Sequence, residues 1–213
     1  MTHNGKTVTK KITVTVTAKP VDPVDPPVTP EDKAEDWKKT HQQILNKTKV
    51  EAGDKTAITA ALTAYEALEQ ADRAKVTAEK TKLDNQQKAV AFLEEQGTVL
   101  NKDDSALTNS DLATLLTAKT KFDALDANVK SYLADTVATR LDAAAKANNW
   151  KTTYSTEIAK TQVTAGDKAQ LDAAVTAHDA LSQAAKNLLG TTDITALQNK
   201  KAAADWQSTH AVL

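Results

Sequence analysis

Few side chains in this sequence could do chemistry. Histidine comes first, because an imidazole holds a proton or a metal near neutral pH. The four histidines are His3, His41, His178 and His210. His41 and His210 lack a paired His or carboxylate repeated at ligand spacing. Asp103-Asp104-Ser105 offers hard oxygens of the kind calcium takes. It lacks the alternating ligands, central glycine and closing glutamate of an EF-hand loop, so it reads as a solvated, helix-capping loop. Gly53-Asp54-Lys55 and Gly166-Asp167-Lys168 lack the further glycines of a phosphate cradle. Glu94 and Glu95 could work as an acid–base pair only by facing one cleft, and adjacent helical positions point to different sides. Cysteine is absent, which excludes a disulfide scaffold, a thiolate metal site and a Cys nucleophile. No catalytic, cofactor-binding or metal-ligating residue is expected.

The positions of these residues explain why. Trp37, Leu93, Trp150 and Trp206 recur at intervals of 56, 57 and 56 residues. Asp54, Asp111 and Asp167 form a second column, Tyr65, Phe122 and His178 a third, and Leu68, Leu125 and Leu181 a fourth. A fixed period of this length is the mark of a tandem array. A ligand or catalytic base is not exchangeable for Phe from one copy to the next, so His178 reads as an aromatic filler at the core edge. The Asp column sits where helices start, and a carboxylate there offsets orphan amides and the helix dipole. The Trp/Leu column reads as apolar packing at the junction between units, not as an exposed stacking platform.

Composition agrees with an array. The 213 residues favour three units of fewer than sixty, each too small to bury a large core alone, so neighbours are expected to share helices or interfaces. Lys and Arg total 27 against 28 Asp and Glu, which gives no basic field for nucleic acid or anionic membranes. Aromatics are only 4% of the chain and Ala is abundant, which suits slim, closely packed helices. No stretch reaches the ~18 apolar residues of a membrane span, and the N-terminus has no apolar signal core. An exported setting would therefore make this chain a fragment of a longer precursor.

Residues 8–16 alternate, with Val8, Ile12, Val14 and Val16 on one face and Thr9, Lys11, Thr13 and Thr15 on the other, the pattern of a half-buried strand. Asn4-Gly5 before it is a hairpin-turn signal with no preceding partner. Residues 1–19 are accordingly expected to be the truncated last strand of an upstream β-sandwich. Residues 20–30, rich in Val-Asp-Pro, read as a stiff proline spacer. From Glu31 the helical period takes over, and units are expected at 31–92, 93–149 and 150–213. Each opens a helix at the Asp column, preceded by the caps Gly53, Ser110 and Gly166, and carries an apolar stripe such as Ile58, Leu62, Tyr65 and Leu68. A turn with a new cap at Thr77, Asp135 or Thr191 starts a second helix that runs into the next unit. Gly97 and Asn148-Asn149 are the places where it could break. Leu93 to Asp111 is one residue longer than Trp37 to Asp54 or Trp150 to Asp167, which puts an insertion in the loop 101–109.

His178-Asp-Ala-Leu-Ser-Gln-Ala-Ala-Lys-Asn-Leu-Leu189 and its echo Tyr65-Glu-Ala-Leu-Glu-Gln-Ala-Asp-Arg-Ala-Lys-Val76 resemble helical repeats of large wall-attached surface proteins of Gram-positive bacteria. Residues 5–17 resemble the closing strand of the bacterial immunoglobulin-like modules common in the same proteins. The resemblance implies an extracellular stalk or adhesin segment on the cell surface, and it carries over no functional residue. The expected fold is all-α: tandem three-helix, spectrin-like repeats sharing long helices, behind a short β-strand remnant and a linker. The expected function is a non-enzymatic spacer, monomeric, elongated and not inserted in a membrane. The runner-up is a helical module that binds a host protein or glycan, and a third reading is an accessory region of a secreted polysaccharide-degrading enzyme.

Overall fold

The computed structural model describes residues 10–15 and 32–210. The chain divides into two compact units, Met1–Asp32 and Lys33–Leu213. In the first, residues 10–15 form no strand, and Ile12 and Val14 are each 77% exposed. The alternation over these residues is therefore not expressed as a β-strand. A lone strand has no edge on which to satisfy its amides and carbonyls. The rest of residues 8–16, the Asn4-Gly5 turn and the proline run 20–30 lie outside the described residues.

The second unit is all-helical: α1 (Lys33–Thr40), α2 (Gln42–Leu45), α3 (Lys55–Glu66), α4 (Gln70–Lys75), α5 (Thr77–Leu100), α6 (Leu112–Asp123), α7 (Ala127–Lys130), α8 (Asp135–Thr153), α9 (Ser155–Ala159), α10 (Lys168–Asp179), α11 (Gln183–Leu189) and α12 (Thr192–His210). The same sequence of events occurs three times. A short 3₁₀ turn ending at Asp54, Asp111 or Asp167 feeds a helix of 12 residues. A short helix and then a long one follow. The stripe read as one helix from Asp54 to Val76 is thus two, α3 and α4. The break falls at a leucine in each copy: Leu68, Leu125 and Leu181 donate their amides to Tyr65, Phe122 and His178. The next residue, Glu69, Asp126 or Ser182, is extended and occupies the cap position of the following helix, where only the Ser182 side chain accepts a backbone amide, that of Ala185. Neither Gly nor Pro marks this corner. The leucine side chain packs against the core, which fixes the turn from inside.

The long helices hold successive parts together. Helix α5 packs on α3 and also on α6 and α7, while α8 packs on α6 and on α11. At 24 residues α5 is ~36 Å long and runs unbroken through Leu93 and Gly97. Asn148-Asn149 does not interrupt α8 either; the chain breaks instead at Tyr154, between α8 and α9. His41 makes the same break between α1 and α2. Both residues follow a tryptophan by four positions and lay their rings against it, at centroid distances of 5.6 Å for Trp37–His41 and 6.0 Å for Trp150–Tyr154.

Those tryptophans are core residues, 5% and 3% exposed. The Trp37 indole N–H donates to the Ala61 carbonyl at 3.0 Å, and that of Trp150 to the Ala174 carbonyl at 2.9 Å. Each indole also meets an aromatic ring one turn further on, Tyr65 at 5.9 Å and His178 at 5.3 Å. In the middle copy the partner of Phe122 is Phe92, at 6.0 Å and 5% exposed, and not Leu93, which is half-buried. The ring column is therefore Trp37, Phe92, Trp150. The loop between Phe92 and Asp111 carries two extra residues, not one, and the stretch from Asp54 to Phe92 is one residue shorter than its counterparts. Ala34, Ala89 and Ala147, three residues before the rings, are each 1% exposed or less.

These contacts set a graded expectation for stability. Trp150→Ala should cost about 3–5 kcal/mol, because it empties a filled core site. Trp150→Phe should cost about 1 kcal/mol, the value of the lost indole hydrogen bond, since Phe92 already fills the equivalent place. Urea denaturation followed by helicity measures both, and equal losses would contradict the shared geometry.

Candidate functional site

The polar residues that recur in this protein converge where one helix ends and the next begins. Lys47, Lys102 and Lys160 stand one or two residues past the ends of α2, α5 and α9. Their ammonium groups reach the aspartates that open the next helices. Lys47 contacts Asp54 at 2.7 Å, Lys102 contacts Asp111 at 2.6 Å, and Lys160 pairs with Asp167. A cation at a helix C-terminus and an anion at the next N-terminus each complement a helix dipole, so the pair closes the loop with both ends favourable.

Each aspartate does a second job. One of its oxygens accepts the backbone amide three residues earlier: Glu51 at 2.7 Å, Thr108 at 3.0 Å and Thr164 at 2.8 Å. In Asp111 and Asp167 the lysine takes the other oxygen, while Lys47 reaches both oxygens of Asp54. The side chains of Glu51, Thr108 and Thr164 return the bond to the aspartate amide, completing a capping box. The caps are therefore these three residues, and not Gly53, Ser110 and Gly166 beside the aspartates. The aspartate must sit at the third position to bond back, which moves the cap one turn upstream. The later caps differ too. Thr77 and Asp135, expected as caps, are instead the first residues of α5 and α8, and Val76 and Ala134 occupy the cap positions with no side-chain bond.

The electrostatics follow from this geometry. Burial pushes the Asp54 carboxyl up, but the Lys47 hydrogen bond, the Glu51 amide and the Lys47 charge together hold it below its ordinary value. Asp111 is depressed by Lys102 first and then by the Thr108 amide, and Asp167 by Lys160 and the Thr164 amide. A second group of donors covers the carbonyls at the preceding helix ends. Gln86 Nε2 donates to Ile44 O at 2.9 Å and Lys47 O at 3.0 Å, and Lys200 Nζ donates to Glu157 O at 2.9 Å. Gln86 and Lys200 occupy the same place on α5 and α12, six residues before the ring column. Ala144 stands there on α8, and Arg140, one turn earlier, donates to Leu100 O instead.

The residues singled out for chemistry are engaged in the same way. Glu94 pairs with Lys55 of α3 at 3.0 Å, whereas its neighbour Glu95 pairs with Lys121 of α6, so the two carboxylates face different helices. Asp104 takes the Arg140 guanidinium at 2.9 Å. His178 lies under the Trp150 indole and is 8% exposed, as its column with Tyr65 and Phe122 implied. His41 lines a groove of about 350 Å³ with Ile44, Lys47 and Asp54, and partial burial lowers its pKa. In the other two copies Gln96 and Tyr154 take the place of His41, while the Lys–Asp pair stays. His3 lies outside the described residues. Among the described residues no group of three or more His, Asp or Glu side chains is arranged to hold a metal ion, and no helix is long and apolar enough to cross a membrane.

The Lys–Asp pairs and the Gln86, Arg140 and Lys200 donors were not singled out from the sequence. A lysine seven residues before the column aspartate occurs in the first and third copies, and the two-residue insertion stretches it to nine in the second.

The depressed aspartates fix a pH dependence. A carboxyl whose folded pKa lies below its unfolded value stabilises the fold above that unfolded value, near 3.8. The stabilisation is lost as pH falls through the folded pKa. Stability should therefore drop below about pH 4. A chain carrying Asp54→Ser, Asp111→Ser and Asp167→Ser should stay helical at pH 7 and show a shallower acid slope. Urea midpoints between pH 2.5 and 7 check this, and parallel slopes for the two chains would refute it.

Compared with known proteins, the sequence matches no protein family, no curated protein and no solved structure.

Proposed function

We propose that the helical body is a non-enzymatic spacer: tandem three-helix, spectrin-like repeats whose long helices are shared between neighbours. It would serve as a stalk or adhesin segment of a Gram-positive surface protein, outside the cell. The observation that carries this reading is the use of the repeated polar residues. Lys47–Asp54, Lys102–Asp111 and Lys160–Asp167 hold the same joint three times, each inside the same capping box. Repetition of a joint supplies length, whereas a catalytic site needs one constellation held by unique partners. The sharing of α5 between α3 and α6, and of α8 between α6 and α11, supports continuity from unit to unit. The cell-surface setting is supported by the resemblance of residues 65–76 and 178–189 to repeats of such proteins.

A spacer tolerates removal of a whole unit in register, and its span shortens accordingly. Because the chain contains no cysteine, cysteines introduced at exposed Lys39 and Thr209 can carry a dye pair without competition. Deleting residues 92–149 places Trp150 where Phe92 stood, three residues after Ala89. Helicity per residue should be kept, and the distance between the dyes should fall by about a third, the share of one unit in three. Loss of helicity, or an unchanged distance, would count against the spacer.

A further inference from the structure

The ring column has a fourth member. Trp206 follows Ala203 by three residues and precedes His210 by four, the same arrangement as Ala34, Trp37 and His41, and as Ala147, Trp150 and Tyr154. Its environment differs. Trp206 is 63% exposed against 5% for Trp37, 5% for Phe92 and 3% for Trp150. Ala203 is exposed, whereas Ala34, Ala89 and Ala147 are buried. The three buried rings are each covered by the next helix that a column aspartate opens: Trp37 by α3, Phe92 by α6 and Trp150 by α10. The Trp206 indole lies flat on His210, at 4.7 Å and 17°, while Trp37 and Trp150 are tilted by 56° and 52° from the rings four positions on.

A second place repeats the pattern. Val50 and Leu107, four residues before Asp54 and Asp111, are each 3% exposed. Their loops touch the following unit: the Val50 amide donates to Tyr132 O at 2.8 Å, and Asn187 Nδ2 donates to Asp104 O at 2.6 Å. Val163 is the third member of this set and is only half-buried. Trp206, Ala203 and Val163 are thus the residues that, by their counterparts, a fourth unit would cover.

We propose that this face is a docking surface for another unit of the same kind, entering directly behind Trp206 as residues 151 onward enter behind Trp150. The occupant's chemistry is set by the three existing covers. It is a helix opened by a capping-box aspartate, with an alanine seven residues after that aspartate and an aromatic ring eleven after, as in Asp54/Ala61/Tyr65, Asp111/Ala118/Phe122 and Asp167/Ala174/His178. The alanine lets the indole reach the helix backbone, and the ring closes over its face. A second free copy of this chain is a poorer occupant, because its α3, α6 and α10 already hold Trp37, Phe92 and Trp150. This surface follows from the repeated geometry and does not depend on the spacer role.

The test is a chain of residues 1–206 followed by a second copy of residues 151–213, compared with the parent by hydrogen exchange of the indole N–H groups. The parent, with three tryptophans, should show two protected indoles and one open. The extended chain, with four, should show three protected and one open. Two protected and two open would overturn the proposal. So would an added segment that gains no helicity, since the same residues fold behind Trp150. Trp206→Asp should leave the parent's melting temperature unchanged and should make the added unit of the extended chain melt separately. A parent that sediments as a dimer, dissolved by Trp206→Asp, would assign the face to a second copy and overturn the choice of occupant.

Discussion

The fold depends on one aromatic packing site made three times: the Trp37 and Trp150 indoles lie on Ala61 and Ala174, and Phe92 takes the equivalent place against the Phe122 ring. Ala61, Ala118 and Ala174 are completely buried, and each stands at the same distance from its column aspartate. Alanine leaves only a methyl group between the ring and the helix backbone. That is why two of the rings are indoles hydrogen-bonded to an alanine carbonyl. Short helices bury little surface singly, and a ring of this size supplies a large share of it.

The ionic joints act around that contact. The Lys–Asp pairs hold the loops that bring a ring over its alanine, and the capping boxes fix where the receiving helix begins. Individually such half-exposed pairs contribute little. Their effect lies in position, since shifting the start of α3, α6 or α10 by one residue would rotate the alanine away from the ring by ~100°. The third copy carries an additional tie, in which Lys168 and Lys201 alternate with Asp172 and Asp205 across α10 and α12.

Much of this was legible in the sequence, and the parts that were not have physical reasons. The Asp, Tyr/Phe/His and Leu columns identify residues that take equivalent places, and the all-helical body follows from their period. A constant interval places Leu93 in the Trp column, one residue from the ring that fills that place. A two-residue loop insertion and a one-residue shortening elsewhere nearly cancel, and counting alone cannot separate them. The Ala-x-x-aromatic spacing of Ala89 and Phe92 would have. The breaks at His41 and Tyr154 escaped because neither is a helix breaker by propensity. Each stands four residues past a buried tryptophan and meets its ring. Conversely Gly97, a weak helix former, stays helical inside α5, where packing on both sides outweighs its roughly 1 kcal/mol cost. The Leu corners between the paired short helices were invisible for the same reason, since a buried leucine signals helix and turn alike.

If each unit closes around its own ring and alanine, protection from amide hydrogen exchange should reflect that. Native-state exchange across the whole chain is the most direct test. The expected profile has three maxima, centred near Ala61, Ala118 and Ala174 and spaced by the period of the sequence, with lower protection at the corners Leu68, Leu125 and Leu181. A single broad maximum, with protection falling away on both sides irrespective of the alanines, would mean one undivided core and would contradict the account.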